Sequence, residues 1–198
     1  MRYPAGHREH SRERIIEAAA GLFRSRGITN TGIDAVMSAV GLTAGGFYAH
    51  FKSKQHLIGE VVKKAFADGQ ARLHCTDEDR RAWMETVLRR YVSRSHRDHP
   101  DQGCPMVTML SELPHAHEVV QPIIKEELEK YADLFEKRLG EAPEGAPTAR
   151  QRALGTIALM VGAVSVARML RGSKLSDEVL TAARAVGASL VQPEKGES

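Results

Sequence analysis

Residues with metal-binding or nucleophilic side chains cluster in the middle of the chain: His96, His99, Cys104, His115 and His117. His96 and His99 are three positions apart, which places two imidazoles on one face of a helix. A zinc site of the common type also needs a second short-spaced pair of cysteine or histidine ligands, and the sequence has none. It also lacks a nucleophile elbow and a glycine-rich phosphate loop. The sequence therefore predicts no metal centre, no cofactor and no catalytic residue.

Cys104 is the residue of this cluster whose position suggests reactivity. Pro105 follows it, and because proline is favoured at the first position of a helix, Cys104 is predicted to stand at a helix N-terminus. Exposed amides and the helix dipole there favour the thiolate, the form that reacts with electrophiles and oxidants. Asp98 and Asp101 lie nearby in the sequence and oppose it. The alternative is a small, buried and inert cysteine that lines an apolar pocket, and both interpretations stay open.

Positive charge is concentrated at the N-terminal end of the chain. Residues 1–55 contain eight lysines and arginines against four acidic residues, a net charge of +4, whereas the remainder sums to −1. Such an excess suits a surface that binds phosphates, although a solvated helix face has the same composition. A non-specific DNA-packaging protein would carry positive charge along its whole length, so that class is disfavoured.

Helices must position these groups, because the sequence has almost no strand signals. No proline interrupts the chain between Pro4 and Pro100. Pro105, Pro114 and Pro122 are expected to cut the stretch before residue 139 into short pieces. Apolar spacing and capping residues predict helices at about 10–26, 33–40, 44–50, from 54, 79–97, up to 139, 148–171 and 176–190. The fold class predicted is all-α.

The helices predicted at 33–40 and 44–50 form a helix-turn-helix unit. Gly41 permits the left-handed turn conformation between them. Phe47 and Phe51, four residues apart, are expected to face the core. The second helix of such a unit is small enough to enter the major groove of DNA. The side chains that remain outward are Thr43, Ala44, Gly45, Tyr48 and His50.

The segment TGIDAVMSAVGLTAGGFYAHFKSKQHL resembles the signature of the TetR-type family of helix-turn-helix transcriptional repressors. The resemblance covers about the first quarter of the chain. Beyond it, the chain resembles the family only in helix count and in two weaker motifs, GCPMVTMLSEL and LMVGAVSVAR. Ala44 and Gly46 depart from the family pattern, which often has polar residues there, and both changes reduce hydrogen bonding to bases. The matching residues are Thr31, Ile33, Gly41, Thr43, Gly45, Phe47, Tyr48, His50, Phe51, Lys54 and Leu57.

The resemblance implies that residues 1–53 form a DNA-binding domain. Thr31 and Lys54, at helix N-termini, would hold phosphates, and Tyr48 and His50 would reach phosphates on either side of the groove. Taken singly, each of these residues is as readily a helix cap, a core aromatic or an ordinary surface side chain. Methyl contacts to thymine and DNA shape would supply the base reading. The residues nearest the bases would be Thr43, Ala44 and Gly45.

Residues 54–191 are implied to form a larger helical domain for ligand binding and dimerisation, giving about nine helices in all, with 192–198 as a disordered tail. A pocket for a small-molecule inducer of unknown identity is expected there, although stripes of methionine and aromatic residues are also typical of a core. Family members that respond to electrophiles are similar to this chain in having a Gly-Cys step before the sixth helix. The candidate lining residues are Trp83, Met84, Tyr91, Cys104, Met106, Met109, Leu110, Phe135 and Met160.

Repressors of this kind are homodimers, because two recognition helices must meet two half-sites. The last two helices are the expected interface, with intramolecular packing as the alternative. In the last helix, apolar residues recur at spacings of four, three and four and form a narrow seam suited to a helix-helix contact. The residues assigned to the interface are Gly155, Ala158 and Gly162 and, in this seam, Val179, Ala183, Val186 and Leu190. The chain shows no signal peptide and no membrane-length apolar run, so a cytoplasmic location without membrane contact is expected. The sequence thus predicts a repressor that an inducer releases from a palindromic operator.

Overall fold

A computed structural model describes residues 5–73, 79–109, 112, 117–141 and 144–191, and every regular element among them is helical. The α-helices are α1 (Ala5–Arg26), α2 (Ile33–Ala39), α3 (Lys54–Leu73), α4 (Arg80–Tyr91), α5 (Arg94–Asp98), α6 (Pro105–Met109), α7 (His117–Leu139), α8 (Ala149–Met169) and α9 (Lys174–Ser189). Two short 3-10 helices span Ala44–Ala49 and Pro100–Gln102. The all-α prediction is confirmed. The predicted tail, 192–198, lies outside the described residues.

Three helix predictions need correction. The helix expected at 79–97 is two helices, because Ser93 interrupts it and caps α5 by accepting a hydrogen bond from the His96 amide. The helix expected at 44–50 is of the 3-10 type. Pro122 does not cut its segment but lies inside α7, in the second turn, where it removes one backbone donor.

The described residues of 1–68 and 100–125 form one compact unit. In α1 an apolar stripe is buried, and the turn after α1 leads into α2, whose Val36 and Met37 are also buried. Contacts join α1 to α2, to the Pro100–Gln102 turn and to α6. The division predicted between residues 53 and 54 stays a prediction about function; as a packing unit, this first unit extends further. The buried stripe of α1 consists of Ile15, Ile16, Ala19, Ala20 and Phe23.

The second unit comprises the described residues of 69–99 and 126–198. Its core contains Trp83 and Phe135 in an edge-to-face contact, with ring centroids 5.2 Å apart. The buried guanidinium of Arg152 donates to the carbonyls of Leu139 and Leu190, at 3.1 and 2.9 Å, and so joins the C-terminal ends of α7 and α9. Burial lowers the pKa of Arg152 from its ordinary value.

The sequence was interpreted as having no membrane-length apolar run, and α8 corrects this. Within the described ranges, α8 is the one helix long and apolar enough to cross a membrane by length and composition. Core helices of soluble proteins meet the same criterion, so a single helix of this kind is weak evidence for a membrane span. Less than half of its most apolar stretch is buried, which means that α8 also has an exposed apolar face.

The turn that follows α1 requires glycine at position 27. Gly27 has a φ of +85°, in the left-handed region that side chains disfavour, and its amide donates to the Phe23 carbonyl at 3.0 Å. A Cβ at this position would also lie 2.5 Å from Oε1 of Glu112. The backbone conformation therefore disfavours a side chain, and a Cβ would also displace the Glu112 carboxylate.

We expect Gly27→Ala to lower the free energy of unfolding by about 2 kcal/mol, because the left-handed conformation is strained for alanine. Gly21→Ala is the control: Gly21 lies inside α1 with no atom within 4 Å of a Cβ, so alanine should raise stability by about 0.5–1 kcal/mol. Chemical denaturation of both variants measures the difference. Equal stability of the two would contradict this account of the turn.

Candidate nucleic-acid interface

The first unit contains a helix-turn-helix, formed by α2 and the Ala44–Ala49 helix. The Leu42 amide donates to the Met37 carbonyl at 2.9 Å, and Gly41, with a φ of +72°, reverses the chain between α2 and the Ala44–Ala49 helix. Phe47 and Phe51 are fully buried, and their rings stack with centroids 5.5 Å apart. These two side chains anchor the 3-10 helix, as the sequence predicted.

The opposite side of the 3-10 helix is open. Tyr48 is 68% exposed, and its ring meets the Phe47 ring edge to face with centroids 5.3 Å apart. Thr43 occupies the N-cap position, but its hydroxyl makes no capping hydrogen bond. Ala44 and Gly45 are exposed, and a Cβ at Gly45 would meet no atom within 4 Å. The structure thus leaves Thr43, Ala44, Gly45 and Tyr48 all accessible near the beginning and middle of this helix.

Thr31 and Lys54 take positions that the sequence did not anticipate. Thr31 is 1% exposed, and its hydroxyl donates to the Gly27 carbonyl at 2.7 Å. The Lys54 ammonium donates to the Ile28 carbonyl at 2.6 Å. Both side chains stabilise the α1–α2 turn, and their contacts with phosphate stay a prediction. The N-terminus of α3 is capped by Ser53, whose hydroxyl accepts from the His56 amide at 3.1 Å.

His50 ends the 3-10 helix in a positively charged environment. Burial and the nearby charges of Arg8 and Arg12 lower the pKa of His50 below its ordinary value. Its Nδ1 atom is buried without a hydrogen-bond partner. His50 is thus half-buried, whereas the sequence placed it among the outward side chains, and its contact with phosphate stays a prediction.

Three arginines of α1 contact the helix-turn-helix or the residues that follow it, whereas the sequence showed them only as positive charge. Arg8 Nη2 donates to a carbonyl at the end of the 3-10 helix, and Arg14 Nη2 to the carbonyl that ends α2. Arg12 pairs with Glu60 of α3 and lies 5.2 Å from the Phe51 ring centroid. Burial raises the pKa of Glu60, but hydrogen bonding and charge from Arg12 and Lys63 outweigh this and lower it overall. Charge patterning gave no signal for these carbonyl contacts.

The end of α1 is also held by residues far along the chain. Arg24 Nε donates to the Asp101 carbonyl at 2.5 Å. The Thr29 amide donates to Oε2 of Glu112 at 2.7 Å, within the α1–α2 turn. Asp101 and Glu112, in the part of the chain that the sequence assigned to ligand binding, thus contact α1 and the α1–α2 turn within one unit.

The candidate pocket residues are distributed over both units. Trp83, Met84, Phe135 and Met160 belong to the buried core of the second unit, and half-buried Tyr91 packs against it. The first unit contains Cys104, Met106 and Met109, and Leu110 lies outside the described residues. The pocket stays a prediction.

Cys104 is half-buried and directly precedes α6, which begins at Pro105 as predicted. The reactivity of its thiol stays a prediction. In the part of the chain that the structure describes, no three histidine, cysteine or acidic side chains form a group suited to a metal ion.

The predicted interface residues divide by exposure. Gly155, Ala158 and Gly162 of α8 are exposed, and so is Val186 of α9, at 53%. In contrast, Ala183 is buried and belongs to the second unit's core, Val179 packs against that core, and Leu190 is half-buried. The regular seam seen in the α9 sequence therefore combines an inward-facing side with an exposed one, and the interface itself stays a prediction.

Family models match most of the chain. Residues 15–61 match the model of bacterial regulatory proteins of the tetR family, and residues 81–183 match the tetracycline repressor-like C-terminal domain. The chain belongs to the TetR family. Members of this family regulate transcription through a DNA-binding helix-turn-helix and are not enzymes. The resemblance proposed from the sequence is confirmed, including over the C-terminal part, where the sequence cues were weak.

Individual relatives agree with this assignment. The transcriptional repressor DhaR of Mycobacterium sp. (strain GP1) is 25% identical over 175 residues, which cover 86% of this chain and 88% of DhaR. Among solved structures, the reduced form of E. coli NemR superposes with a TM-score of 0.78 at 19% identity, covering 93% of this chain and 99% of NemR. A TetR regulator from Chloroflexus aurantiacus gives 0.76 at 24% identity, covering 91% and 95%. At these identities, the two structures show a shared fold.

Proposed function

We propose that this TetR-family regulator is a cytoplasmic homodimeric repressor that binds a palindromic operator and is released by a small-molecule inducer. The observation that carries the proposal is the exposed face of the Ala44–Ala49 helix, which is anchored from behind by Phe47 and Phe51. Selection of bound fragments from sheared genomic DNA tests the operator. We expect fragments that share an inverted repeat, because two copies related by a two-fold axis read two half-sites. Fragments with no common sequence would contradict the proposal.

Base reading by this helix is limited by its composition. Ala44, Gly45 and Gly46 offer no side-chain hydrogen bonds, so the backbone can approach the groove closely. The methyl groups of Thr43 and Ala44 suit contact with thymine, and sequence-dependent DNA shape supplies further discrimination. The Tyr48 hydroxyl, on an exposed ring held by Phe47, suits a phosphate oxygen.

We expect Tyr48→Phe to weaken binding by about 5-fold on the selected duplex and on a scrambled one alike, because a phosphate contact contains no base information. Titration of labelled duplexes at moderate salt measures both affinities. Tyr131→Phe, which removes the same hydroxyl from α7, is the matched control and should bind as the native protein does. Unchanged affinity in Tyr48→Phe would exclude the phosphate role.

We propose that the dimer forms through the exposed apolar face of α8 and α9. Residues of α8 at four-residue spacing are exposed on one side, and Leu175 and Val186 are exposed on α9. Such a face is unusual for a monomer in water and is typical of a helix-helix interface between copies. It also accounts for the apolar character of α8. The α8 residues are Leu154, Ala158, Gly162, Val166 and Met169.

Val186→Glu should convert the dimer to monomers, because it places a charge on this apolar face. It should also abolish tight operator binding, since a monomer meets one half-site only. Light scattering measures the mass. Lys137→Glu, at an exposed position of α7, is the control and should remain dimeric. A dimeric Val186→Glu protein that binds DNA normally would assign the interface to another surface.

The contacts of residues 100–112 support release by an inducer. Glu112 binds the α1–α2 turn and Asp101 binds Arg24, so displacement of α6 would act directly on the helix that carries the helix-turn-helix. We propose that an inducer shifts α6 and thereby the population of DNA-binding conformations.

Glu112→Ala tests this route, because it removes the acceptor of the Thr29 amide. With a compound that releases the native protein from the selected duplex, the variant should need about 10-fold more compound for half release. Glu118→Ala, an exposed carboxylate in α7, is the control and should respond as the native protein does. An unchanged response of Glu112→Ala would exclude this contact as the route.

A further inference from the structure

Two arginines of α1 bind the carbonyls that end the two helices of the helix-turn-helix. Arg8 Nη2 donates to the Ala49 carbonyl at 2.5 Å, and Arg14 Nη2 donates to the Val40 carbonyl at 2.9 Å. The last carbonyls of a helix have no partner within it and form the negative end of its dipole. A guanidinium group donates a hydrogen bond to such a carbonyl and also places a positive charge at the negative end of the dipole. The two bonds thus fix both helices of the motif against α1.

The Ala44–Ala49 helix needs such support more than most helices. It has six residues, two of them the adjacent Gly45 and Gly46, and its hydrogen bonds are of the weaker 3-10 type. Phe47 and Phe51 anchor its inner side, but Tyr48 and Thr43 project from the opposite side and from its beginning. Their placement therefore depends on how the two ends of the motif are held.

We propose that Arg8 and Arg14 are positioning residues for operator recognition, and that they act through the Ala49 and Val40 carbonyls rather than by contacting phosphates. Arginines on a basic DNA-binding unit would ordinarily be assigned to the phosphates. Here their guanidinium groups keep the recognition helix in its binding conformation before DNA arrives, which reduces the ordering cost of binding. This inference rests on the operator binding proposed above.

The salt dependence of binding distinguishes the two roles. The slope of log K against log salt is negative, and loss of a phosphate contact reduces its magnitude by about one. It also weakens binding to all sequences equally. Loss of a positioning residue leaves the number of phosphate contacts unchanged, so the slope stays as in the native protein. It also reduces the preference for the selected sequence, because the groups that read it are no longer held in place.

The experiment titrates Arg8→Gln and Arg14→Gln against the duplex selected by the native protein and against a scrambled duplex, over a range of KCl concentrations. We expect each variant to bind the selected duplex about 3- to 10-fold more weakly, with the native slope and a reduced preference over the scrambled duplex. Arg26→Gln removes the same charge from an exposed position in the last turn of α1 and is the matched control. It should keep the native preference.

Circular dichroism at the assay temperature establishes that each variant is folded. If Arg14→Gln unfolds, Arg8→Gln, which alters an exposed side chain near the start of α1, decides the question. A slope smaller in magnitude by about one in the folded variants would overturn the proposal in favour of phosphate contacts. Variants that keep the native affinity and sequence preference would overturn it altogether. Failure of the proposed function would be visible separately, since the native protein would then select no common sequence.

Discussion

The DNA-binding unit is organised by the attachment of the short Ala44–Ala49 helix to the long helix α1. The Ala44–Ala49 helix cannot maintain itself, because it is short, contains two glycines and has 3-10 geometry. Burial of Phe47 and Phe51 contributes about 2 kcal/mol each and fixes its inner side. The helix contacts α2, and α1 adds the Arg8 hydrogen bond to the Ala49 carbonyl and the Arg12 guanidinium 5.2 Å from the Phe51 ring centroid. Tyr48 and Thr43 are exposed as a consequence, because Phe47 and Phe51 occupy the inner side.

The α1–α2 turn is the second point at which contacts converge. Within five residues of chain it receives the Lys54 ammonium, the Glu112 carboxylate and the Thr31 hydroxyl. A turn in which Gly27 must adopt a left-handed conformation has few alternatives, so these contacts act on one defined backbone. This explains why two residues expected at the DNA surface, Thr31 and Lys54, bind the protein's own carbonyls. Through Glu112, a segment distant in sequence also contacts this turn, which leads into the helix-turn-helix.

The sequence was sufficient for the features that come from local periodicity and short-range geometry. The apolar stripe of α1, the inward placement of Phe47 and Phe51 and the left-handed Gly41 follow from spacing and residue type, and the family follows from them. Contacts between a side chain and a distant backbone amide or carbonyl leave no such pattern, so the roles of Glu112 and Arg14 were not predictable. For the same reason, the α9 seam was predicted without its orientation: the spacing of Val179, Ala183 and Val186 does not show which side the remaining helices cover.

The most direct test of this account is a crystal structure of the protein bound to its selected duplex. We expect the Ala44–Ala49 helix to lie in the major groove with Gly45 nearest the base edges and the Tyr48 hydroxyl within hydrogen-bonding distance of a phosphate. We also expect Arg8 and Arg14 still to donate to the carbonyls of Ala49 and Val40. A complex in which these two arginines have left the carbonyls for phosphates, or in which another element occupies the groove, would contradict it.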